Sequence, residues 1–393
     1  MTTERFGWLR TPDPANQLNP MWITLAAATG LFLASVLQLW FWGIRFRHLA
    51  NYQLPVPVLL PTADLPPVSI IICARNEADN LRNNLPLFLE QDYPFFEVLV
   101  VNDHSSDETE KVLLDIQQKY PILHVLSIKE KTTPGKKAAL SLGIHKSSFD
   151  LLFLSDADCR PTGRQWLKVT QRSFQQGKSI VLGYGPYQKR DGWLNRFIRF
   201  EAFYTAIQYF SFAIAGHPYM GVGRNLAYHR RVFQHANGFS SHAHLASGDD
   251  DLLVNQMATA QHTTINLFPE ARIVSAPPTS LGGYYIQKRR HLSVSSHYRW
   301  QHQIALGALA GSHFSFYGLS LLLVLMLPTW WPILTLNYLV RMGVVLHVSI
   351  GASKHLGERD LLPFLPLLDL AFLAYYLLFA PTLLTGSRIQ KWK

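Results

Sequence analysis

Val68-Ser-Ile-Ile-Ile-Cys-Ala-Arg-Asn-Glu77 is the stretch whose reading decides the fold. Residues 68–73 form a continuous, β-branched apolar run, the pattern of a strand buried on both faces of a parallel sheet. Just downstream, Leu81, Leu85, Phe88 and Leu89 recur at i, i+4, i+7 and i+8 and make one apolar helix face. Phe96–Val101 predicts the next strand, and Ser105-Ser-Asp-Glu108 is a capping-box pattern that predicts a helix through Tyr120. Ile122–Ile128 and Leu151–Leu154 predict further strands, with a helix around Lys136–Lys146 between them. Alternating strands and helices with short turns predict an α/β domain built on a mostly parallel, doubly wound sheet.

Charge is scarce around this domain. The chain has 393 residues, 48% hydrophobic and 16% charged, against about 25% charged in a soluble globular protein. Such apolar content excludes disorder, and two cysteines, Cys73 and Cys159, exclude a disulfide scaffold and a cysteine-rich zinc site. After a polar N-terminus (1–19), residues 20–44 hold no Asp, Glu, Lys or Arg, which predicts a membrane-spanning helix of the usual length of about 20. It reads as a retained anchor rather than a cleaved signal. Arg45, Arg47 and His48 follow, and such a basic edge favours the cytoplasmic side. A Pro-rich linker (45–66) leads into the α/β domain (67–283).

The C-terminal third is apolar again. Residues 284–311 mix Lys288, Arg289, Arg290, His291, His297 and Arg299 with Tyr and Trp; lying before an apolar segment, they suit anionic headgroups better than nucleic acid. Residues 312–384 predict two or three membrane helices: a hairpin of about 313–329 and 332–350 turning at Pro328-Thr-Trp-Trp-Pro332, then Leu361–Leu384, which either spans or dips and returns. A basic tail (385–393) ends the chain. Phe203–Ala215 fits either the domain core or the membrane interface.

In doubly wound sheets the ligand crevice lies beyond the carboxyl ends of the strands. Arg75-Asn76-Glu77, Asn102-Asp103-His104 and Asp156-Ala-Asp158 all fall there. One acidic residue after a strand is ordinarily a turn or cap residue; three polar clusters at successive strand ends point to a ligand. Asp156 and Asp158, two apart after a buried strand, offer hard oxygen donors to a divalent ion. Asp249, Asp250 and Asp251 repel one another, which raises the proton affinity of at least one; the run is either the acid-rich start of a helix or part of a site that needs a base. Met220-Gly-Val-Gly-Arg-Asn225 lacks the Lys-Ser/Thr of a phosphate-binding loop; it is either a plain loop or, at Gly221, a turn that lets backbone approach the acceptor.

Taken together, these motifs resemble glycosyltransferase family 2, with its GT-A catalytic fold, in its membrane-anchored, polysaccharide-synthase-like branch. The likeness covers about residues 67–300 and is carried by 68–77, Val101-Asn-Asp-His-Ser-Ser-Asp107, Pro134-Gly-Lys-Lys137, Asp156-Ala-Asp158, Gly248-Asp-Asp-Asp251 and Gln287-Lys-Arg-Arg290. The resemblance implies roles. Asp103 would recognise the nucleotide base, Cys73 and Arg75 would flank base and ribose, and Glu77 and Lys137 would complete the donor set. Asp156 would hold ribose and, with Asp158, a Mg²⁺ or Mn²⁺ on the donor diphosphate. Asp250 would be the general base, or Asp249 if the alignment slips by one. Gln287 and Arg290 would serve the leaving diphosphate. His291 stands where the family's motif has a Trp that stacks on the acceptor sugar.

The implied protein is a metal-dependent, inverting glycosyltransferase of the inner or plasma membrane with a cytoplasmic catalytic domain. It would move a sugar from a nucleotide-diphosphate donor, a UDP-sugar in the first instance, to a lipid or lipid-linked hydroxyl. A processive polysaccharide synthase and a non-catalytic membrane scaffold are the alternatives; intact Asp156, Asp158, Asp250 and Arg290 oppose the scaffold, and His291 with few spans opposes the synthase.

Overall fold

Both faces of the run 68–74 are buried, and its odd and even residues belong to two different cores. The computed structural model describes residues 20–56, 61, 64–130, 135–175 and 177–385; the polar N-terminus, most of the basic tail and Pro134 lie outside them. Strands β1 (Val68–Ala74), β2 (Phe96–Asp103), β3 (Leu123–Ile128), β4 (Leu151–Asp156), β6 (Ile180–Gly183), β7 (Leu226–His229) and β8 (Thr263–Asn266) form a seven-stranded sheet in the order β3-β2-β1-β4-β7-β6-β8. Only β7 runs antiparallel to its neighbours. Two short strands, β5 (Cys159–Pro161) and β9 (Ile273–Ser275), pair separately.

Ile70, Ile72, Val98, Val100 and Phe153 face one core, where α2 (Ala78–Leu89) buries Leu81, Leu85 and Phe88. Ile71, Cys73, Val101, Leu152 and Leu154 face the other, against α4 (Lys137–Lys146) and α5 (Trp193–Ile214). This alternation is the packing reason for a continuous apolar run with no polar phase. Gly143 lets α4 close on the sheet: a Cβ there would stand 2.6 Å from Ile71 Cγ2. Phe203, Tyr204, Ile207 and Phe210 are buried, so the 203–215 segment belongs to the core.

The helix after β2 begins later than the capping-box pattern predicts. It is α3 (Thr109–Gln117), and Asp107 rather than Ser105 satisfies its start, accepting from Thr109 N at 3.0 Å. Asp107 also accepts from Ala78 N at 3.2 Å, and Ser105 Oγ accepts from Asn76 N at 3.0 Å. The residues predicted to cap a helix therefore tie together the loops after β1 and β2.

Among the described residues, four helical segments are long and apolar enough to cross a membrane: 21–50, 300–326, 328–356 and 359–382. The first does not end at residue 44. Helix α1 (Pro20–Trp40) continues as a π turn (Phe41–Arg45) and a short helix (Arg47–Ala50), with Phe41, Trp42, Phe46 and Leu49 buried against the catalytic domain. The basic cluster marks a charge boundary, and the helix passes through it because its apolar face still has a partner. Likewise the boundary at 311/312 falls inside one helix. Residues 284–311 divide between α7 (Leu281–Leu292) and the start of α8 (Trp300–Met326); α9 (Trp331–Leu356) and α10 (Leu365–Thr385) follow. The last apolar segment is thus a third C-terminal helix.

Domain and bundle share one apolar core, in which Tyr204 and Phe210 join Leu309, Val345 and Phe372. Arg199, itself buried, forms ion pairs with Glu358 and with Asp360 (2.8 Å) in the loop between α9 and α10. Inside the bundle Arg341 meets Asp369 at 2.6 Å and Gln38 Oε1 at 2.9 Å, and Tyr317 donates to Asp369 at 2.5 Å.

Candidate active site

The strand ends converge as the topology requires. In register, Cys73 lies between Val101 and Asp156, which brings the ends of β1, β2 and β4 together. A cavity of about 650 Å³ opens there, lined among others by Cys73, Arg75, Glu77, Asp156, Asp158, Asp249, Asp250, Gln287, Arg290 and His291. Two expected donor residues are placed elsewhere. Asp103 is buried at the end of β2 and does not line this cavity. Lys137 is turned away: its ammonium donates to the carbonyls of His242 (2.8 Å), Leu245 (2.7 Å) and Ser247 (2.6 Å). An ammonium has three protons, so none is left for a phosphate. Lys137 instead holds the loop that leads into the acidic run.

Its neighbour Lys136 occupies the centre of the site. Lys136 Nζ lies 2.8 Å from Asp156 Oδ1 and 3.1 Å from Asp249 Oδ2. Burial works against its charge, but Asp156 and then Asp249 outweigh it and hold the ammonium well above its ordinary pKa. Burial likewise opposes ionisation of Asp156, yet Lys136, with Arg224 and Arg290 contributing, keeps that carboxyl below the usual range. Asp156 and Asp158 have carboxylate oxygens within 4.8 Å of each other. Two hard oxygen donors facing a roomy cavity fit Mg²⁺ or Mn²⁺, which complete their shells with phosphate and water.

The three consecutive acids have three separate partners. Asp249 meets Lys136. Asp250 Oδ2 accepts from Gly223 N at 2.6 Å. Asp251 accepts from Tyr298 Oη at 2.7 Å and from Leu252 N at 2.8 Å, at the start of α6 (Asp251–Met257). Burial, and next the charge of Asp249, raise the Asp250 pKa; burial and then Asp250 push Asp251 well up. All three acids line the cavity, but Asp251 is tied by the Tyr298 hydroxyl, whereas Asp250 combines raised proton affinity with contacts to backbone N–H groups. Gly223 makes that contact possible: a Cβ on it would stand 2.9 Å from Asp250 Oδ2. Gly221 also lines the cavity, but a Cβ on it would point at Leu182, Leu226 and Val254.

Helix α7 supplies the opposite wall. Tyr187 Oη donates to Gln287 Oε1 at 3.4 Å, and Arg290 has a buried Nε with no partner among the described residues. A buried cationic donor without an acceptor is costly unless an anion completes it. Burial, followed by the charges of Lys288 and Arg290, pushes His291 well below the ordinary imidazole pKa, so it faces the cavity neutral. Arg224 is a further cavity residue that sequence reasoning passed over; it donates twice to Gly185 O (2.9 and 2.6 Å) and its guanidinium lies 4.6 Å from the Tyr187 ring centre. The run Gly223-Arg224-Asn225 contained it, as Gly135-Lys136-Lys137 contained Lys136, but neither pattern says which side chain turns inward.

A mostly parallel sheet with acidic and cationic groups gathered beyond its strand ends is the architecture of a GT-A nucleotide-sugar transferase. The chain belongs to glycosyltransferase family 2: the family model described as "Glycosyl transferase family 2" matches residues 69–236, and "Glycosyl transferase family group 2" matches 156–383. The "Probable glycosyltransferase YdaM" of Bacillus subtilis is 26% identical over 258 residues, 62% of this chain and 59% of its own length. The "Beta-monoglucosyldiacylglycerol synthase" of Trichormus variabilis is 29% identical over 150 residues, 38% of this chain and 31% of its own. The matches thus span about three fifths of the first relative and a third of the second. In fold, the chain is similar to a mannosyltransferase from Pyrobaculum calidifontis, solved with GDP-Man and Mn²⁺, at TM-score 0.59 and 18% identity, covering 94% of this chain and all of that one.

Proposed function

We propose that this protein is an inverting, metal-dependent glycosyltransferase that moves a single sugar from a nucleotide-diphosphate donor to the hydroxyl of a lipid or lipid-linked acceptor. The observation that carries this reading is the Asp250 carboxylate, held by Gly223 N–H and raised in proton affinity, facing the same cavity as the unpartnered Arg290 Nε. The acceptor oxygen attacks the anomeric carbon as the bond to the diphosphate breaks. Asp250 takes the hydroxyl proton, and the departing electrons pass to the diphosphate, beside Arg290 and Lys136. Asp156 and Asp158 would hold Mg²⁺ or Mn²⁺, which supplies counter-charge to the diphosphate when bound. Fixed cations placed where charge develops lower the barrier because they need no rearrangement. Cys73, Arg75 and Glu77, which line the cavity, would hold the nucleotide, and Asp103 is buried at the end of β2.

The relative named for a glucosylated diacylglycerol and the four apolar helices support a lipid-type acceptor, and the neutral His291 ring offers a growing polymer little to stack on. The domain stands on the cytoplasmic side of the inner or plasma membrane, with 45–47 and 354–359 beside it. Purified protein offered a panel of UDP- and GDP-sugars with membrane lipids tests the reading. Metal-dependent release of nucleoside diphosphate and addition of one sugar per lipid is the expected result. No turnover with any donor refutes transferase activity, and a ladder of long oligosaccharides identifies a synthase.

A further inference from the structure

The cavity does not end at the acidic run. It continues between α8 and α10, where Leu306, Gly307 and Ala310 face Phe372, Tyr375 and Tyr376 across it. Both helices start on the catalytic side: Trp300 follows Tyr298, which is bonded to Asp251, and Leu365 follows Asp360, which is bonded to Arg199. At about 1.5 Å per residue, Gly307 and Ala310 lie about 10 and 15 Å along α8, and Phe372 and Tyr376 about 10 and 16 Å along α10. A hydrocarbon core is about 30 Å thick, so this end of the cavity lies in the leaflet next to the catalytic domain.

At Gly307 the wall carries no side chain. Gly307 lines the cavity yet is exposed, and a Cβ added to it would meet nothing within 4 Å. Glycine is a poorer helix former than alanine, so the helix itself gains nothing from it.

Between Tyr375 and His291 the cavity is lined by a polar group whose charges cancel. Glu201 and Lys288, both buried, pair at 2.5 Å, and Thr205 Oγ1 donates to Glu201 Oε1 at 2.9 Å. All three line the cavity. A headgroup with hydroxyls finds donors and acceptors here, whereas a phosphate would meet the Glu201 carboxylate and a lysine already engaged.

We propose that the acceptor is a lipid of the leaflet beside the catalytic domain, which enters sideways at Gly307, between α8 and α10, and presents an uncharged, hydroxyl-bearing headgroup to Asp250. This rests on the transferase reading above and adds the route and the charge class of the acceptor. The test uses the full chain in nanodiscs with two photoactivatable probes, a diacylglycerol carrying a diazirine in one acyl chain and the matching phosphatidic acid. The diacylglycerol is expected to label peptides spanning 303–310 and 369–376. Gly307→Trp is expected to cut that labelling about tenfold or more, since it displaces several methylenes, while binding of UDP or GDP is unchanged. Phosphatidic acid is expected to label these peptides weakly. Equal labelling of Gly307→Trp and wild type, or of both lipids, overturns the proposal. If Gly307→Trp loses nucleotide binding, Ala310→Phe, which fills the same end, replaces it under the same criteria. A wild type that captures the diacylglycerol but turns over no nucleotide sugar refutes the transferase reading and leaves the lipid route standing.

Discussion

Replacing Lys136 by Met removes the one ammonium that bridges Asp156 and Asp249 while keeping much of its stem. Breaking a buried ion pair from one side costs about 3–5 kcal/mol. Because the Asp156 side chain is 35% exposed, the lower end of that range applies. At about 1.4 kcal/mol per pKa unit, 3 kcal/mol shared between two carboxylates raises each by about one unit. Asp156 now has a depressed pKa, so its ionised form is present at neutral pH and is lost only as the pH falls through that low value. Lys136 also holds down the raised pKa of Asp250, the base that sets the acid limb of the rate profile, so in the variant that limb moves to higher pH. The missing cation at the diphosphate adds a drop in kcat of about 10²–10³, in the range of removing one fixed donor from a charged transition state. The assay is release of nucleoside diphosphate by protein in nanodiscs, followed from about pH 5 to 9 with Lys136→Arg alongside. Lys136→Arg keeps the charge and is expected to keep the acid limb. A Lys136→Met enzyme within about threefold of wild type across that range, with folding confirmed by circular dichroism, refutes the central role of Lys136.

Four further outcomes are expected. Asp158→Ala should retain the fold and lose transfer, and full activity of that variant, or of wild type in excess chelator, would remove the metal from the reaction. Asp250→Asn should bind donor and metal normally but turn over about 10²-fold more slowly; because burial raises its pKa, wild-type activity should fall off at a pH above the ordinary carboxylate range. A dead Asp249→Asn beside an active Asp250→Asn would move the base by one residue. Cysteine placed at Gly282, where a side chain meets nothing within 4 Å, should escape membrane-impermeant labelling in intact cells; Cys73 and Cys159 are both buried and give no background. Arg341→Met should destabilise the bundle by about 3–5 kcal/mol because Asp369 is left unpaired, and adding Asp369→Leu should recover much of that loss in chemical denaturation.

The strands were legible because both faces of β1, β2 and β4 are buried, which writes an uninterrupted apolar signature into the chain. The residues beyond their ends were legible because the crevice position follows from topology alone. Other features depend on contacts distant in sequence. Lys136 and Lys137 are consecutive and chemically identical, yet one meets Asp156 and the other the 242–247 loop, more than 100 residues away. Asp107 outcompetes Ser105 as a cap because the loop after β1 claims the serine. Helix runs through Arg45 and through residue 311 because charge composition marks a solvent boundary, whereas the backbone continues wherever an apolar face finds a partner. The neutral state of His291 follows from burial beside two cations, which no local pattern shows.

The cluster in the bundle has a consequence for how the protein is made. Gln38 enters the bilayer with the first helix, Arg341 some 300 residues later, and Asp369 last of all. Until α10 is synthesised, Arg341 sits in lipid without its carboxylate, at a cost of about 3 kcal/mol on insertion scales. A chain that stops before residue 369 therefore lacks the carboxylate that Arg341 meets. The contact among the first, third and fourth apolar helices closes only once the fourth is in place, so the bundle locks from its C-terminal side.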